Sequence, residues 1–181
     1  MSKKIMILNG SPRDYGNTVA LINEFKKGAE EANHNVEVFN LIKMNINPCL
    51  GCFSGGKDKN KPCVQNDDME KIHRAYIESD VVVLASPIYY WFLSGILMTT
   101  FDRLFAVAEL DPATKNPKKE CALIMCSQYD SFNESLFWYN SMVRHMDWTD
   151  KGKVLASGVL KVGDIAGNDK LKEAYNLGLN I

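Results

Sequence analysis

The chain has 181 residues, of which 46% are apolar and 24% charged, and its net charge is −1. This composition predicts one globular domain over 1–181, and the near-neutral charge argues against a nucleic-acid partner. No apolar run reaches the roughly 18 residues of a membrane span. The start of the chain does not resemble a secretory leader, and the cysteine number is odd, so we expect a cytoplasmic protein without structural disulfides.

Short apolar runs alternate with amphipathic stretches along the chain. The apolar runs predict strands, because a strand covered on both faces is continuously hydrophobic; they lie at 5–8, 36–41, 81–85, 121–126 and 154–160. The amphipathic stretches carry apolar side chains at spacings of three and four and predict helices; these lie at 17–33, 67–78, 95–108, 133–146 and 169–177. A long loop is predicted over 43–65. Such alternation predicts an α/β fold with a parallel sheet and helices on both faces.

Local signals predict where several of these elements begin and end. Pro87 should end the third strand, because proline cannot donate to a central ladder. Asp67 followed by Glu70 resembles a capping box at the start of the second helix, and Ser94 is a predicted N-cap of the third. Gly178 is a plausible stop for the last helix.

The loop after the first predicted strand reads N-G-S-P-R-D-Y-G-N-T and leads directly into a helix. Ser11, Asn17 and Thr18 supply short polar side chains, Gly10 and Gly16 allow close approach of the backbone, and Arg13 supplies a mobile charge. A helix start offers unpaired N–H groups and partial positive charge, which together bind an anion. The segment therefore predicts a phosphate site, with an ordinary well-capped polar loop as the alternative. It contains neither a Walker loop nor a dinucleotide fingerprint.

Four consecutive aromatic residues, Tyr89-Tyr90-Trp91-Phe92, follow the third predicted strand. They cannot all face one side of a helix or sheet, so some must face a ligand, a partner or solvent. A planar ring such as isoalloxazine would stack well on them. A dimer contact or a core edge is the alternative explanation.

The segment N-G-S-P-R-x-x-G-N-T and the segment P-I-Y-x-x-x-x-S-G-x-L-x-x-x-x-D-R together resemble the NAD(P)H-dependent FMN reductases, in the branch of the iron–sulfur flavoproteins. The resemblance extends over nearly the whole chain and includes C-x-G-C at 49–52. It implies a flavodoxin-like, doubly wound, five-stranded parallel sheet of order 2-1-3-4-5, bound FMN and a homodimer with the flavin near the interface.

The resemblance also implies the residues that contact the flavin. The phosphate would be held by Ser11, Arg13, Gly16, Asn17 and Thr18. The ring would be lined by Pro87, Ile88, Tyr89, Tyr90 and Trp91, and closed on its other side by Ser127, Gln128 and Tyr129. Asp102 and Arg103 are expected to form a structural pair near the interface.

Three cysteines, Cys49, Cys52 and Cys63, lie in the long loop. Related iron–sulfur flavoproteins carry four cysteines there, but Gly55 stands at one of those positions, so a four-cysteine cluster lacks a ligand. A zinc site would need a fourth donor, with His73 a remote candidate. A redox-active Cys49–Cys52 pair is a further alternative. The preferred interpretation is a loop that shapes access to the flavin, without a metal.

The resemblance implies a flavin-dependent oxidoreductase that takes hydride from NAD(P)H and passes electrons to a small acceptor such as a quinone. No side chain is assigned as a catalytic acid or base, since the cofactor performs the chemistry. A flavodoxin-like electron carrier is one alternative, although a net charge of −1 does not supply the acidic docking surface typical of such carriers. A non-enzymatic flavin-binding module is the other.

Overall fold

A computed structural model describes residues 1–181 of the chain. The strands are β1 (Lys4–Asn9), β2 (Asn35–Asn40), β3 (Val81–Tyr89), β4 (Phe92–Leu93), β5 (Glu120–Cys126) and β6 (Thr149–Ala156). The helices are α1 (Asn17–Glu31), α2 (Met69–Glu78), α3 (Gly95–Arg103), α4 (Phe105–Ala108), α5 (Asn133–His145) and α6 (Asp169–Leu179). None of these helices is both long and apolar enough to cross a bilayer.

The strands form a sheet of order β2-β1-β3-β5-β6, and every neighbouring pair in this path is parallel. The two-residue β4 pairs antiparallel with the end of β3. Without β4 the order is the predicted 2-1-3-4-5, so the flavodoxin-like fold class is confirmed. The order reverses between β1 and β3, and doubly wound sheets bind ligands beside such a switch point, beyond the carboxyl ends of the strands.

Alternate residues of the central strands build a separate apolar core on each face of the sheet. Met6 and Leu8 of β1 face the core formed with α2, α3 and α5, whereas Ile5 and Ile7 face the core formed with α1 and α6. Burial on both faces explains why these strands appear as continuous apolar runs in the sequence.

Helices α1 and α6 approach each other so closely that two glycines are needed at their crossing. A Cβ atom on Gly178 would lie 2.0 Å from the carbonyl oxygen of Phe25, and one on Gly28 would lie 2.1 Å from that of Tyr175. Gly178 therefore lies inside α6, and the prediction that it ends the helix is wrong. The residue is a glycine because no side chain fits between the two backbones.

Two predicted strand ends are also wrong. β3 continues through Pro87, which is paired with Cys126, because β1 ends opposite Ala85 and leaves the end of β3 with only β5 as a parallel neighbour. The last strand covers 149–156 rather than 154–160. It is an edge strand with an exposed, polar first half, so its apolar run marks only part of it, and Val159 belongs to the following loop.

The predicted helices at 95–108 and 67–78 also differ from the structure in detail. The former divides at Leu104, whose N–H bonds to the carbonyl oxygen of Phe101, three residues back rather than four. The capping box at the start of α2 does not form. Asp67 instead pairs with Arg103, and the Glu70 carboxylate lies 3.7 Å from the ammonium of Lys61. Ser94 is the N-cap residue of α3, as predicted.

Candidate functional site

The loops that follow β1, β3, β5 and β6 enclose one cavity of about 320 Å³ at the carboxyl end of the sheet. Its lining contains Ser11, Arg13, Asn17, Thr18, Pro87, Ile88, Tyr89, Tyr90, Trp91, Ser127, Gln128 and Tyr129 from the sequence prediction, together with Cys126, Ser131, Val159 and Leu160. The structure therefore brings the predicted phosphate loop and the predicted aromatic loop to the walls of a single cavity.

Gly16 is the one predicted site residue that does not line this cavity; it is the N-cap residue of α1. It offers no side chain to the free N–H groups of the first helical turn, and the first intrahelical bond runs from Ala20 to the Gly16 carbonyl oxygen. The start of a fifteen-residue helix is thus left without a side-chain cap beside the cavity, which is the arrangement that binds an anionic group.

Hydrogen bonds hold the first loop in place. The Asn9 side chain accepts from the Ser11 N–H at 3.0 Å, and the Ser11 hydroxyl accepts from the Arg13 N–H at 3.3 Å. The Asn17 amide group donates to the Lys161 carbonyl oxygen at 2.9 Å, which ties the start of α1 to the loop after β6. The Arg13 guanidinium donates to the Leu160 carbonyl oxygen at 2.8 Å and places a positive charge at the edge of the cavity.

The aromatic segment forms a tight hairpin between β3 and β4 rather than an open loop. Its two central residues, Tyr90 and Trp91, have φ values of 51° and 67°. Two consecutive positive φ values mark a type I′ turn, which strongly favours Asn-Gly over bulky residues. Such backbone torsions cost a non-glycine residue about 1–3 kcal/mol and cluster at functional sites.

The hairpin places its aromatic side chains in different environments. Phe92 packs against Trp138 of α5, with ring centroids 6.2 Å apart. Tyr90 and Trp91 contact each other at 4.7 Å between centroids, and they remain 91% and 56% exposed. Two large aromatic rings are therefore held in a strained turn at the mouth of the cavity, where a planar ligand can contact them.

Sequence reasoning missed the cavity residues Cys126, Ser131, Val159 and Leu160. Burial raises the pKa of the Cys126 thiol to about 11, although a hydrogen bond with Thr18 lowers it, so this cysteine is a neutral wall residue rather than a nucleophile. Ser131 lies 3.0 Å from Ser127 between hydroxyl oxygens. Val159 and Leu160 were missed because the last strand was predicted to extend through them, over 154–160.

A second cavity, of about 290 Å³, lies beside the long loop and is lined by Cys49, Cys52 and Cys63 with residues of α3 and α4. Arg103 anchors this loop: its buried guanidinium forms a bidentate pair with Asp67 at 2.8 and 3.1 Å. The Asp102–Arg103 pair predicted from the sequence does not form. His73 does not complete a zinc site with these thiols, because it is buried and does not line this cavity; its Nε2 donates to the Arg103 carbonyl oxygen at 2.9 Å.

In this α/β protein an uncapped helix start and an aromatic wall meet at one switch point, an arrangement that suits a flavin nucleotide. The sequence profile of the NADPH-dependent FMN reductase family matches residues 3–131. The chain belongs to this family. It is a flavin-dependent oxidoreductase whose cofactor is FMN.

Individual proteins resemble the chain in sequence or in fold. The chain is similar to an iron–sulfur flavoprotein of Archaeoglobus fulgidus, with 31% identity over 172 residues that cover 95% of this chain and 76% of that protein. Its fold is similar to that of an azoreductase from Bacillus anthracis, with a TM-score of 0.73 and 18% identity over the full length of both chains. It is also similar to that of an NAD(P)H:quinone oxidoreductase from Methanothermobacter marburgensis, with a TM-score of 0.68, 16% identity, and coverage of 99% of this chain and 97% of that one.

The iron–sulfur cluster in the name of the Archaeoglobus relative does not fit the residues of this chain. A four-cysteine cluster needs a thiolate that Gly55 does not supply. A Cβ atom at this position would also lie only 2.3 Å from a carboxylate oxygen of Glu109 and 2.9 Å from the carbonyl oxygen of Pro62. No group of three His, Cys, Asp or Glu side chains is arranged to hold a metal ion.

Proposed function

We propose that this chain oxidises NAD(P)H through bound FMN and passes the electrons to a small planar acceptor such as a quinone, the type of acceptor that the Methanothermobacter protein of similar fold is named for. The observation that carries the proposal is the single cavity that joins an uncapped helix start to four aromatic side chains. FMN supplies the hydride and electron chemistry when bound; the protein binds it, orients it and limits access to it.

In this proposal the flavin phosphate lies at the start of α1, with Ser11, Asn17 and Thr18 as polar neighbours and Arg13 as its counter-charge. The other cavity residues contact the ring. Pro87, Ile88, Tyr89, Tyr90 and Trp91 approach it from one wall, and Ser127, Gln128 and Tyr129 from the other. The phosphate and the ring are thereby fixed by loops from different strands, which orients the ring relative to the cavity mouth.

We further propose that two copies of the chain pair with their cavities close to the interface, and that each chain of 1–181 acts as one flavin-binding unit. Large apolar side chains around the cavity mouth support pairing: Tyr90 is 91% exposed and Tyr129 is 68% exposed. Exposed aromatic groups of this size are enriched at protein interfaces.

The test is an anaerobic titration of the FMN-loaded protein with NADH and with NADPH, followed by addition of a quinone. We expect the flavin absorbance to bleach with at least one nicotinamide and to return with the quinone. A chain that serves only as an electron carrier would keep its colour with both nicotinamides and be reduced by dithionite alone. That result would contradict the proposed donor.

Replacing the strained turn, Tyr90→Asn with Trp91→Gly, is expected to separate stability from activity. The new pair suits the positive φ values, so the free energy of unfolding should rise by about 1 kcal/mol or more. The loss of two aromatic surfaces at the cavity mouth should lower kcat/KM for the quinone. Denaturant unfolding and steady-state kinetics measure the two effects. Unchanged kinetics would show that these side chains do not contribute to the site. A destabilised variant would show that the turn is not strained.

A further inference from the structure

A serine stands at a core position of β3, directly before the aromatic hairpin. Side chains alternate between the two faces of a strand, so Ser86 points to the same face as Val82 and Leu84, which belong to the core formed with α2, α3 and α5. Ser86 is 0% exposed. A hydroxyl buried this deeply is costly unless it is hydrogen-bonded. Its presence on an apolar face therefore needs a local reason.

The Ser86 hydroxyl makes two hydrogen bonds, and both go to the backbone of the hairpin. Its Oγ donates to the Pro87 carbonyl oxygen at 2.7 Å and accepts from the Ser94 N–H at 2.8 Å. Ser94 directly follows β4 and is the N-cap residue of α3. The hydroxyl therefore joins the outgoing arm of the hairpin to the point where the returning arm enters a helix.

The register of the hairpin explains why a side chain makes this connection. Ile88 pairs with Leu93, so Pro87 and Ser94 face each other at the base of the hairpin. Counted from the two-residue turn, this is a position at which antiparallel strands exchange hydrogen bonds. Proline has no N–H to give, which leaves only the connection from the Ser94 N–H to the Pro87 carbonyl oxygen. The Ser86 hydroxyl bridges these two groups, so a side chain sets the spacing between the arms.

The base of the hairpin also contacts the loop that leaves β1. The Gly10 N–H donates to the Ala85 carbonyl oxygen at 2.8 Å, one residue before Ser86. A Cβ atom on Gly10 would lie 2.3 Å from Ser94 Oγ, so Ser94 packs directly against the Gly10 backbone. The next residue, Ser11, lines the flavin cavity. The hydroxyl bridge thus lies where the phosphate loop and the aromatic hairpin meet, behind the cavity rather than in its lining.

We propose that Ser86 is a positioning residue, which sets where the aromatic turn stands relative to the phosphate loop and thereby how the turn contacts the ring of bound FMN. The inference rests on the proposed flavin site. Tyr89, Tyr90 and Trp91 line that cavity from the hairpin, whereas Ser86 does not line it. Ser86 acts on them through the base of the hairpin. A displacement of about 1 Å, caused away from the reacting atoms, can lower a rate by a large factor.

Ser86→Ala removes the bridge and is expected to move the hairpin while leaving the phosphate contacts in place. The Ser94 N–H and the Pro87 carbonyl oxygen can then pair only by coming closer together. The Kd values for FMN and for riboflavin should rise by the same factor, about 3–10-fold, because contact of the ring with the aromatic side chains is reduced. Isothermal titration of the apoprotein measures both values. In the FMN-loaded variant, kcat/KM for the quinone should fall by about tenfold.

Two spectra distinguish positioning from a loss of stability. Near-ultraviolet circular dichroism of the apoprotein reports the Tyr90–Trp91 pair, whose ring centroids are 4.7 Å apart. Visible circular dichroism of bound FMN reports the asymmetric surroundings of the flavin ring. Both spectra should change in Ser86→Ala. They are recorded far below the unfolding midpoint of each variant, where lower stability alone leaves them unchanged.

Ser135→Ala is the matched control, because it removes a hydroxyl that is buried to the same extent. Ser135 lies in α5 and is 0% exposed, and its Oγ has no hydrogen-bond partner. It does not line the flavin cavity. Both spectra, both flavin affinities and the kinetics of this variant should match those of the wild type.

Three results would overturn the proposal. One is that Ser86→Ala leaves the spectra or the flavin affinities unchanged. The second is a rise in Kd for FMN without a rise for riboflavin, which would place the effect on the phosphate. The third is an equal change in Ser135→Ala. Because the affinities and spectra do not depend on turnover, a chain that binds FMN but is not reduced by NAD(P)H would contradict the proposed function and leave this inference standing.

Discussion

Replacing Asp67 with alanine is expected to lower the free energy of unfolding by about 3–5 kcal/mol, the cost typical of leaving one member of a buried ion pair alone. Both side chains of the Asp67–Arg103 pair are almost completely excluded from solvent, at 0% and 1% exposure. Without the carboxylate, the Arg103 guanidinium keeps the Asn47 carbonyl oxygen and the Cys63 sulfur but loses the group that compensates its charge. Urea unfolding followed by circular dichroism measures the loss.

Asp68→Ala is the matched control, because it removes the same chemical group one position along the chain. Asp68 pairs with Lys71 at 2.7 Å, and that lysine side chain is 71% exposed. Asp68 also accepts from the Asn45 N–H at 2.8 Å. An exposed ion pair contributes about 0–1 kcal/mol and a hydrogen bond of this kind about 0.5–1.5 kcal/mol, so the loss should stay below that of Asp67→Ala. Equal losses in the two variants would show that the burial of the Asp67–Arg103 pair has no special energetic weight.

The pKa of Asp67 predicts how the difference in unfolding free energy between wild type and Asp67→Ala changes with pH. Burial opposes ionisation of Asp67, but hydrogen bonds from Arg103 and from the Asn47 and Met69 N–H groups outweigh it and lower the pKa of Asp67 to about 2, from 3.8. A depressed pKa stabilises the folded state above about pH 4, and this contribution is lost as the pH falls through 2. The difference in unfolding free energy should therefore be full at pH 7 and smaller at pH 3.

The strands at the centre of the sheet could be predicted because burial on both faces leaves a signal in consecutive residues. Ile5, Val81 and Leu123 lie in runs whose hydrophobicity needs no partner to be recognised. The edge strand β6 lacks such burial in its first half, and its predicted range was displaced toward Leu160. Gly178 is required because the backbone of Phe25, on another helix, leaves no room for a side chain. The sequence around Gly178 does not show this contact, so a glycine in that position indicated a helix end instead.

Some features of the candidate site could likewise be predicted from the sequence, and others could not. Its two walls could be predicted because each is a contiguous loop with its own chemistry, and the order of parallel strands brings both loops to one edge. Contacts across long separations in sequence could not be predicted. Arg103 lies 36 positions from Asp67, and Glu109 lies 54 positions from Gly55. The strain at Tyr90 also required backbone torsions, since the residue types there argue against a type I′ turn.

Replacing Arg13 with alanine is expected to raise the Kd for FMN by about 10–100-fold, because a hydrogen bond to a charged group contributes about 1.5–3 kcal/mol. The Arg13 guanidinium lies at the cavity edge, where it donates a hydrogen bond to the carbonyl oxygen of Leu160. The same cavity is bordered by the uncapped start of α1. Isothermal titration of the apoprotein with FMN measures the loss, and a weaker salt dependence should accompany it, since one counter-charge has gone.

Riboflavin provides the decisive comparison, since it carries the same ring and ribityl chain without the phosphate. If Arg13 acts on the phosphate, Arg13→Ala leaves the Kd for riboflavin unchanged while that for FMN rises. Arg74→Ala, on α2 and away from the flavin cavity, removes the same charge and should alter neither affinity. Equal losses for FMN and riboflavin in Arg13→Ala would mean that this side chain supports the ring or the loop, and the phosphate would have to be placed elsewhere in the cavity.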